Sequence, residues 1–481
     1  SSSNSTVFSA AHCSRLMTSG PPEAGVDHIN AFGKEHFGGI LNVVWTEQKG
    51  RIVHATREWE QGEIILVESP THIVQEDVES KAFRKLQQMC KRDKFDYEPL
   101  WYWCALKSLT KEQLVGAYEG GWEPATELCQ KNLLLLHHEV TEAGPESEKM
   151  AKELVPNCDP IVLERLTQVW VLNCFEYSDN PTGYSVYFFS SFMSHSCYPN
   201  AVWHYTGSDH VLRARRPISI GDEVCIAYLP EDGLLQPTMM RRYELHQTKH
   251  FWCDCERCSA AEDNTRGMLC PQCKDGTVFS TATDPSSNRK GYQASAWHSR
   301  QCNKCGHTLT AKQSEGLAEL ENRLSQQIER GLDEATPVHE VQQKEKWMES
   351  LFSQHFLVDS LWEQLAEYYV KNNLNIEQRR ILHKRCEHQK NVYPGLSGSH
   401  AWSLEAYADA LRTAPRQSAP TKKKGGVWMP VVKAEPELAK QKYLDSIKVL
   451  RLMFGEDHEY VTSVDDKLKE LISNRAEVDD S

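Results

Sequence analysis

Seven of the sixteen cysteines of this chain are bunched between residues 253 and 305. The run CDCERC sets Cys253, Cys255 and Cys258 within six residues, while CPQC (Cys270, Cys273) and CNKC (Cys302, Cys305) form two C-x-x-C knuckles. Thiolates at such spacings are zinc ligands. Each knuckle presents two sulfurs to one ion, so the pair makes a self-contained four-cysteine site. CDCERC leaves a tetrahedral ion one ligand short, and the fourth must come from elsewhere. Four thiolates leave no position for water, so both sites would be structural, with metal binding coupled to folding by roughly 10 kcal/mol or more. A separate stretch, SHSCYPNA at 194–201, allows three chemistries. Cys197 is a nucleophile with His195 as its base, a metal ligand, or a buried small side chain. Cys13, Cys90, Cys104, Cys129, Cys158, Cys174, Cys225 and Cys386 lack ligand spacing and read as packed thiols.

The elements that must position these groups can be read along the chain. At 481 residues there is room for about three domains. The formal net charge of −13 argues against nucleic acid as a partner. The first twenty residues lack the apolar core of a secretory signal, and no run approaches the roughly 20 apolar residues of a membrane span. The expectation is a soluble intracellular protein whose cysteines are thiols or metal thiolates.

Residues 1–38 are rich in Ser, Gly and Pro and read as a flexible leader. Short β-branched runs cut by Gly50 and Gly62 follow and read as strands with tight turns. From about 79 to 170, apolar residues recur at helical spacing, as in KAFRKLQQMCKRDKF and IVLERLTQVWVLN. Strand-like punctuation returns at 184–230, ending in GDEVCIAYL. Residues 311–412 and 437–475 read as helices, separated by a Pro-, Gly- and Lys-rich insertion.

Four of these segments together resemble one family. KGRIVHATREWEQGEIIL is similar to the opening of a SET domain, and SHSCYPNAVWHY to its Asn-His-Ser-Cys-x-Pro-Asn motif. GDEVCIAYL resembles the strand that ends in the family's catalytic tyrosine, and CDCERC its post-SET cysteine cluster. The intervals resemble the SMYD branch of SET lysine methyltransferases. That branch carries a MYND finger needing eight Cys or His ligands, whereas only Cys90 and Cys104 lie in the matching region, so no such finger is expected. The SMYD-like group without it that this resembles is the apicomplexan apical-complex lysine methyltransferases.

The resemblance implies an α+β fold with a mostly-β SET domain. Its parts would be a flexible segment (1–38), the first part of SET (39–78), a helical insert (79–164), the SET core (165–232), a post-SET region with two four-cysteine zinc sites (233–310), and an all-α TPR-like domain (311–481) with a flexible insertion (413–436). It implies S-adenosyl-L-methionine as cofactor and two structural Zn2+ per chain. Tyr228 matches the tyrosine at the methyl-transfer point, Tyr187 an aromatic of the lysine channel, and Tyr184 a further part of that wall. Lys49, Gly50 and Arg51 match the turn at the cofactor's methionine end. Asn173, His195 and Phe251 match further cofactor contacts. Ser194, also a cofactor-site position, stands where the motif has Asn, and Ile52 where the opening motif has its second Gly; both departures weaken cofactor contact. Cys197 would supply the fourth sulfur for Cys253, Cys255 and Cys258, and Pro199 and Asn200 would shape the turn.

The implied activity is methyl transfer from S-adenosylmethionine to a lysine side chain of a protein substrate, with an intracellular location that is cytoplasmic or cytoskeleton-associated, at the apical complex if the apicomplexan resemblance holds, and nuclear as the alternative. Glu231 and Asp232 could steer a basic peptide or form a solvated loop. The helical tail could recruit protein partners or a second copy as a homodimer. A catalytically impaired zinc scaffold is the alternative, and a Cys197–His195 hydrolase the third reading.

Overall fold

The computed structural model describes residues 25–280, 301–412 and 434–479. The chain divides into two compact units: Ser1–Ser194 with Trp203–Ile226, and His195–Val202 with Ala227–Ser481. The expected flexible insertion falls mostly on residues outside the described ones, as does Cys13.

The first unit begins with a helix, α1 (Val26–Phe37), inside the segment expected to be a loose leader. That expectation fails over 26–37 because the helix has something to bury. Ile29 is in the core, Gly33 packs under the Phe189 ring, and the Asn30 side chain makes two hydrogen bonds with the Val43 backbone, at 2.9 and 2.7 Å. Strands β1 (Leu41–Thr46) and β2 (Gly50–Ala55) form an antiparallel hairpin, followed by β3 (Ile64–Glu68) and β4 (His72–Gln75). Five helices come next: α2 (Lys81–Asp93), α3 (Pro99–Lys107), α4 (Glu127–Leu134), α5 (Pro145–Leu154) and α6 (Pro160–Asn173). Ser80, Thr126 and Asp159 cap α2, α4 and α6 through their side chains, which fixes where each helix starts. The strands β5 (Phe175–Asp179), β6 (Thr182–Val186), β7 (Ser194–His195), β8 (Ala201–Thr206), β9 (Asp209–Ala214) and β10 (Cys225–Ile226) follow. Two three-stranded sheets result, in the orders β3-β9-β8 and β4-β6-β5.

A buried polar knot sits where β3 and β9 pair Glu68 with His210. The Glu68 carboxylate accepts the backbone N–H groups of Phe189 (2.7 Å) and Ser190 (2.8 Å) and the Ser190 hydroxyl (2.7 Å). With its hydrogen spent on Glu68, the Ser190 oxygen accepts from Nδ1 of His210, at 3.2 Å. Burial pushes the His210 imidazole down to about 3, so it is neutral in the folded chain. The folded value lies below the unfolded one. The stability this neutral ring confers is therefore present above about pH 6.5 and lost as pH falls towards 3. Between pH 7 and pH 4.5 a His210→Gln variant is expected to lose about 2 to 3 kcal/mol less stability than the parent. Urea unfolding at the two pH values measures the difference, and parallel losses would refute the assignment.

The second unit opens with α7 (Thr238–Lys249), then β11 (Asp263–Leu269) and β12 (Thr277–Ser280). Helices α8 (Ala311–Glu329) and α9 (Val338–Leu351) precede a short strand, β13 (Phe352–His355), which pairs with β11. An all-helical region from 311 onward was expected, and β13 corrects it. Phe352 and His355 are buried on this strand, and a buried ion pair secures the same place. Arg266 of β11 grips Glu321 of α8 through Nε (3.0 Å) and Nη2 (2.7 Å). Helices α10 (Phe356–Lys371), α11 (Asn375–Val392), α12 (Gly398–Arg412), α13 (Pro436–Phe454) and α14 (Glu459–Asp479) then pack each on the next. Among the described residues, no helix is long and apolar enough to cross a membrane.

Candidate functional site

In the second unit the sulfur missing from CDCERC is that of Cys197. The Sγ atoms of Cys197, Cys253, Cys255 and Cys258 lie within 4.8 Å of one another, with Cys197 at 4.0 Å from Cys253 and 3.5 Å from Cys258. Four sulfurs at about 2.3 Å from a tetrahedral zinc stand about 3.8 Å apart, so the set fits that ion. The thiolates also have donors. The Cys197 N–H points at Cys255 Sγ (3.4 Å), and Arg241 Nη2 at Cys258 Sγ (3.7 Å). Arg242 holds the Cys253 carbonyl at 2.7 Å. Leu229, Leu234, Leu235, Leu245 and Tyr393 close an apolar shell around the cluster.

The two knuckles form a second set. Cys270 and Cys305 approach to 3.7 Å, Cys273 and Cys302 to 3.8 Å, and the N–H groups of Gly276 and Lys304 point at Cys273 and Cys302. Among the described residues, these are the two groupings of His, Cys, Asp or Glu whose ligand atoms converge for a metal. A Cβ added at Gly276 would stand 2.4 Å from Cys302 Sγ. Gly276→Ala is therefore expected to weaken zinc at this site alone, taking the metal left after dialysis against a chelator from two ions per chain towards one. Unchanged retention would show that the sulfur can move aside. Elsewhere, burial pushes the thiols of Cys90 and Cys158 up to about 12 and that of Cys129 up to about 11, as packed thiols require.

His195 joins the first cluster to Tyr228. Its Nδ1 accepts the Tyr228 backbone N–H at 2.9 Å, and its Nε2 lies 3.2 Å from Cys197 Sγ. Burial pushes this imidazole down to about 4, so it is neutral, and its proton sits on Nε2, facing the sulfur. An imidazole already protonated on that side cannot act as base for Cys197, which removes the hydrolase reading. With both nitrogens engaged, the ring is a strut between a sulfur and the Tyr228 backbone. The strand expected to end in Tyr228 stops short of it, since β10 ends at Ile226. The Tyr228 side chain is 38% exposed, with the rings of His195 and Phe251 at 5.4 and 6.3 Å and Lys249 Nζ 5.9 Å from its centre. Pro199 and Asn200 are buried in the same unit. Glu231 accepts the Gly398 N–H at 2.8 Å and Asp232 the Gly233 N–H at 2.9 Å, so each carboxylate holds backbone.

The other expected residues belong to the first unit. Lys49 and Gly50 make the β1–β2 turn, where Gly50 adopts φ +71°. Lys49 Nζ meets Glu223 at 2.8 Å, and the other oxygen of Glu223 accepts the Ser194 hydroxyl in a short hydrogen bond. Ser194 thus has a built partner, and Glu223 is a site residue that the sequence reading passed over. Its signal was its place in GDEVCIAYL, five residues before Tyr228. Arg51 holds the Leu135 carbonyl and lies 4.9 Å from the centre of the Phe192 ring. The Ile52 side chain is buried in the core. The amide nitrogen of Asn173 donates to the carbonyls of His137 (2.9 Å) and Val169 (2.8 Å), leaving its oxygen for any further contact. Tyr187 is fully buried, donates its hydroxyl to the Ser208 carbonyl at 2.6 Å, and is pushed up to about 12 by burial. It can serve as an aromatic wall but not as a proton carrier. Tyr184 stacks on Trp101 at 4.3 Å and belongs to the packing of β6 on α3.

Comparison with known families fits this arrangement. Residues 50–229 match the SET domain. The SET match thus runs from the Gly50 turn to the residue after Tyr228. N-lysine methyltransferase SMYD2-B of Xenopus laevis is 34% identical over 111 residues, covering 22% of this chain and 25% of that protein. Histone-lysine N-methyltransferase SMYD3 of Homo sapiens is 37% identical over 87 residues, covering 18% and 19%. The chain spans about a quarter of the length of these relatives. Among solved structures, Rubisco LSMT bound to AdoMet aligns over 78% of this chain and 94% of that one, at 13% identity and a TM-score of 0.28.

Proposed function

We propose that this chain transfers a methyl group from S-adenosylmethionine to the side-chain amine of a lysine in a protein substrate. The observation that carries the reading is Tyr228. It lies one residue before the end of the SET match, its backbone is held by His195, and its ring stands part-exposed beside Phe251. The lysine methyltransferases SMYD2-B and SMYD3, named above as relatives of this SET region, support it.

When bound, S-adenosylmethionine would supply an electrophilic methyl group on a sulfonium. In this proposal the Phe251 ring packs on its base. Glu223 keeps Lys49 in place. The Tyr228 hydroxyl holds the polarised methyl group through weak C–H···O contacts and orients the incoming amine. A lysine amine has an ordinary pKa of about 10.4, so it must shed its proton before attack, and a desolvated aromatic setting favours the neutral form.

Incubation of the zinc-loaded chain with methyl-labelled cofactor and a broad protein extract, followed by site mapping, is the test. Label on lysine is expected. Proven cofactor binding without any labelled lysine would leave the zinc scaffold as the better account.

A further inference from the structure

The two four-cysteine clusters, both in the second unit, are not equally reachable from solvent. In the first, Cys197 and Cys258 have no exposed surface and Cys253 is 3% exposed, inside the apolar shell of Leu229, Leu234, Leu235 and Leu245. In the second, Cys270 and Cys302 are buried, Cys273 is part-exposed and Cys305 is exposed. With zinc bound, every ligand sulfur is a thiolate, so access and not protonation chooses the one that an oxidant meets. That sulfur is Cys305.

What stands beside Cys305 decides the product. Cys270 Sγ lies 3.7 Å from Cys305 Sγ, and Cys273 Sγ 3.8 Å from Cys302 Sγ, so each contact runs from one knuckle to the other. The knuckles are also tied together without a metal. The Thr277 N–H donates to Oδ1 of Asn303 at 2.8 Å, and the Asn303 N–H to the Thr277 carbonyl at 3.1 Å. Met268, Val278, Leu309 and Ala318 pack with Cys270 and Cys302 in one small apolar cluster. Facing sulfurs therefore stay close when the ion leaves.

We propose that the knuckle site is a reversible peroxide-sensitive switch, in which hydrogen peroxide oxidises Cys305, Cys270 closes a disulfide on it, and one zinc ion is released while the first cluster keeps its own. The Cys305 thiolate attacks one peroxide oxygen; an S–O bond forms, the O–O bond breaks and hydroxide leaves, giving a sulfenic acid. The Cys270 thiolate then attacks that sulfur; the S–S bond forms, the S–O bond breaks and a second hydroxide leaves. Two thiolates have given two electrons to one peroxide, and both hydroxides take up a proton as water. Cys273 and Cys302 alone cannot complete a tetrahedral ion. Because the new bond joins the two knuckles, a thiol reductant restores all four ligands in place.

Titration of hydrogen peroxide into the zinc-loaded full-length chain tests this, with a zinc-sensitive dye, a metal count by mass spectrometry and peptide mapping without reductant. One ion per chain is expected to leave. The map should show Cys270 joined to Cys305, with Cys197, Cys253, Cys255 and Cys258 unoxidised, and dithiothreitol with added zinc should return the count to two. Cys305→His, which keeps a ligand set of three cysteines and one histidine, should hold two ions and slow the release by roughly tenfold or more. The order of release and the mapped disulfide of the parent decide the case even if the histidine variant binds one ion only. The proposal is overturned if no ion leaves, if both leave together, if the first cluster carries the oxidation, if the disulfide joins Cys302 to Cys305, or if a two-ion Cys305→His variant releases zinc as fast as the parent.

Discussion

Replacing Cys197 by Ala is expected to lower the zinc content from two ions per chain to one and to unfold the second unit at lower temperature. Four sulfurs converge from two places far apart in sequence, with Cys197 and Cys253 separated by 56 positions. Three sulfurs cannot complete a tetrahedral ion, so the loss is of the site and not of one bond. Zinc binding in small modules contributes roughly 10 kcal/mol or more to folding, far above the effect of removing one buried small side chain. Inductively coupled plasma mass spectrometry on the dialysed protein gives the count. Two ions in the variant would mean that Cys197 is not a ligand, whatever its distance from the others.

Tyr228→Phe is expected to lower the proposed methyl transfer by roughly 100-fold, the scale of removing one preorganised polar group from a reacting centre. The variant should keep both zinc ions, because the Tyr228 contact to His195 uses its backbone N–H and not its side chain. That separation makes the result readable, since a drop in rate with metal retained belongs to the hydroxyl. A variant with full rate would take Tyr228 out of the chemistry and leave it as a wall of the site.

The two four-cysteine sets were legible because C-x-x-C spacing is local and its chemistry tolerates few alternatives. Tyr228 and Cys197 were legible only as parts of quoted motifs. The helix over 26–37 was hidden because the Ser, Gly and Pro around it set the composition, while the Asn30 contact that secures it reaches across to Val43. Strand β13 was hidden for the opposite reason: FSQH lies between two helical patterns without a Gly or Pro to mark it, and its pairing with β11 is set by distant residues. Glu223 was overlooked because its partners, Lys49 and Ser194, are distant in sequence, and no pattern of spacing encodes a bond of that kind.

The way the chain alternates between its two units bears on synthesis. Residues 195–202 belong to the second unit, yet 203–226, which complete the first, emerge after them. No single cut therefore yields both units whole: ending the chain at 226 keeps the first but takes 195–202 from the second, and starting it at 195 keeps the second but takes 203–226 from the first. On the ribosome, at about 5 to 20 residues per second, Cys197 waits roughly 3 to 11 s for Cys253 to appear. During that interval its thiol lacks the three sulfurs of CDCERC that complete the cluster.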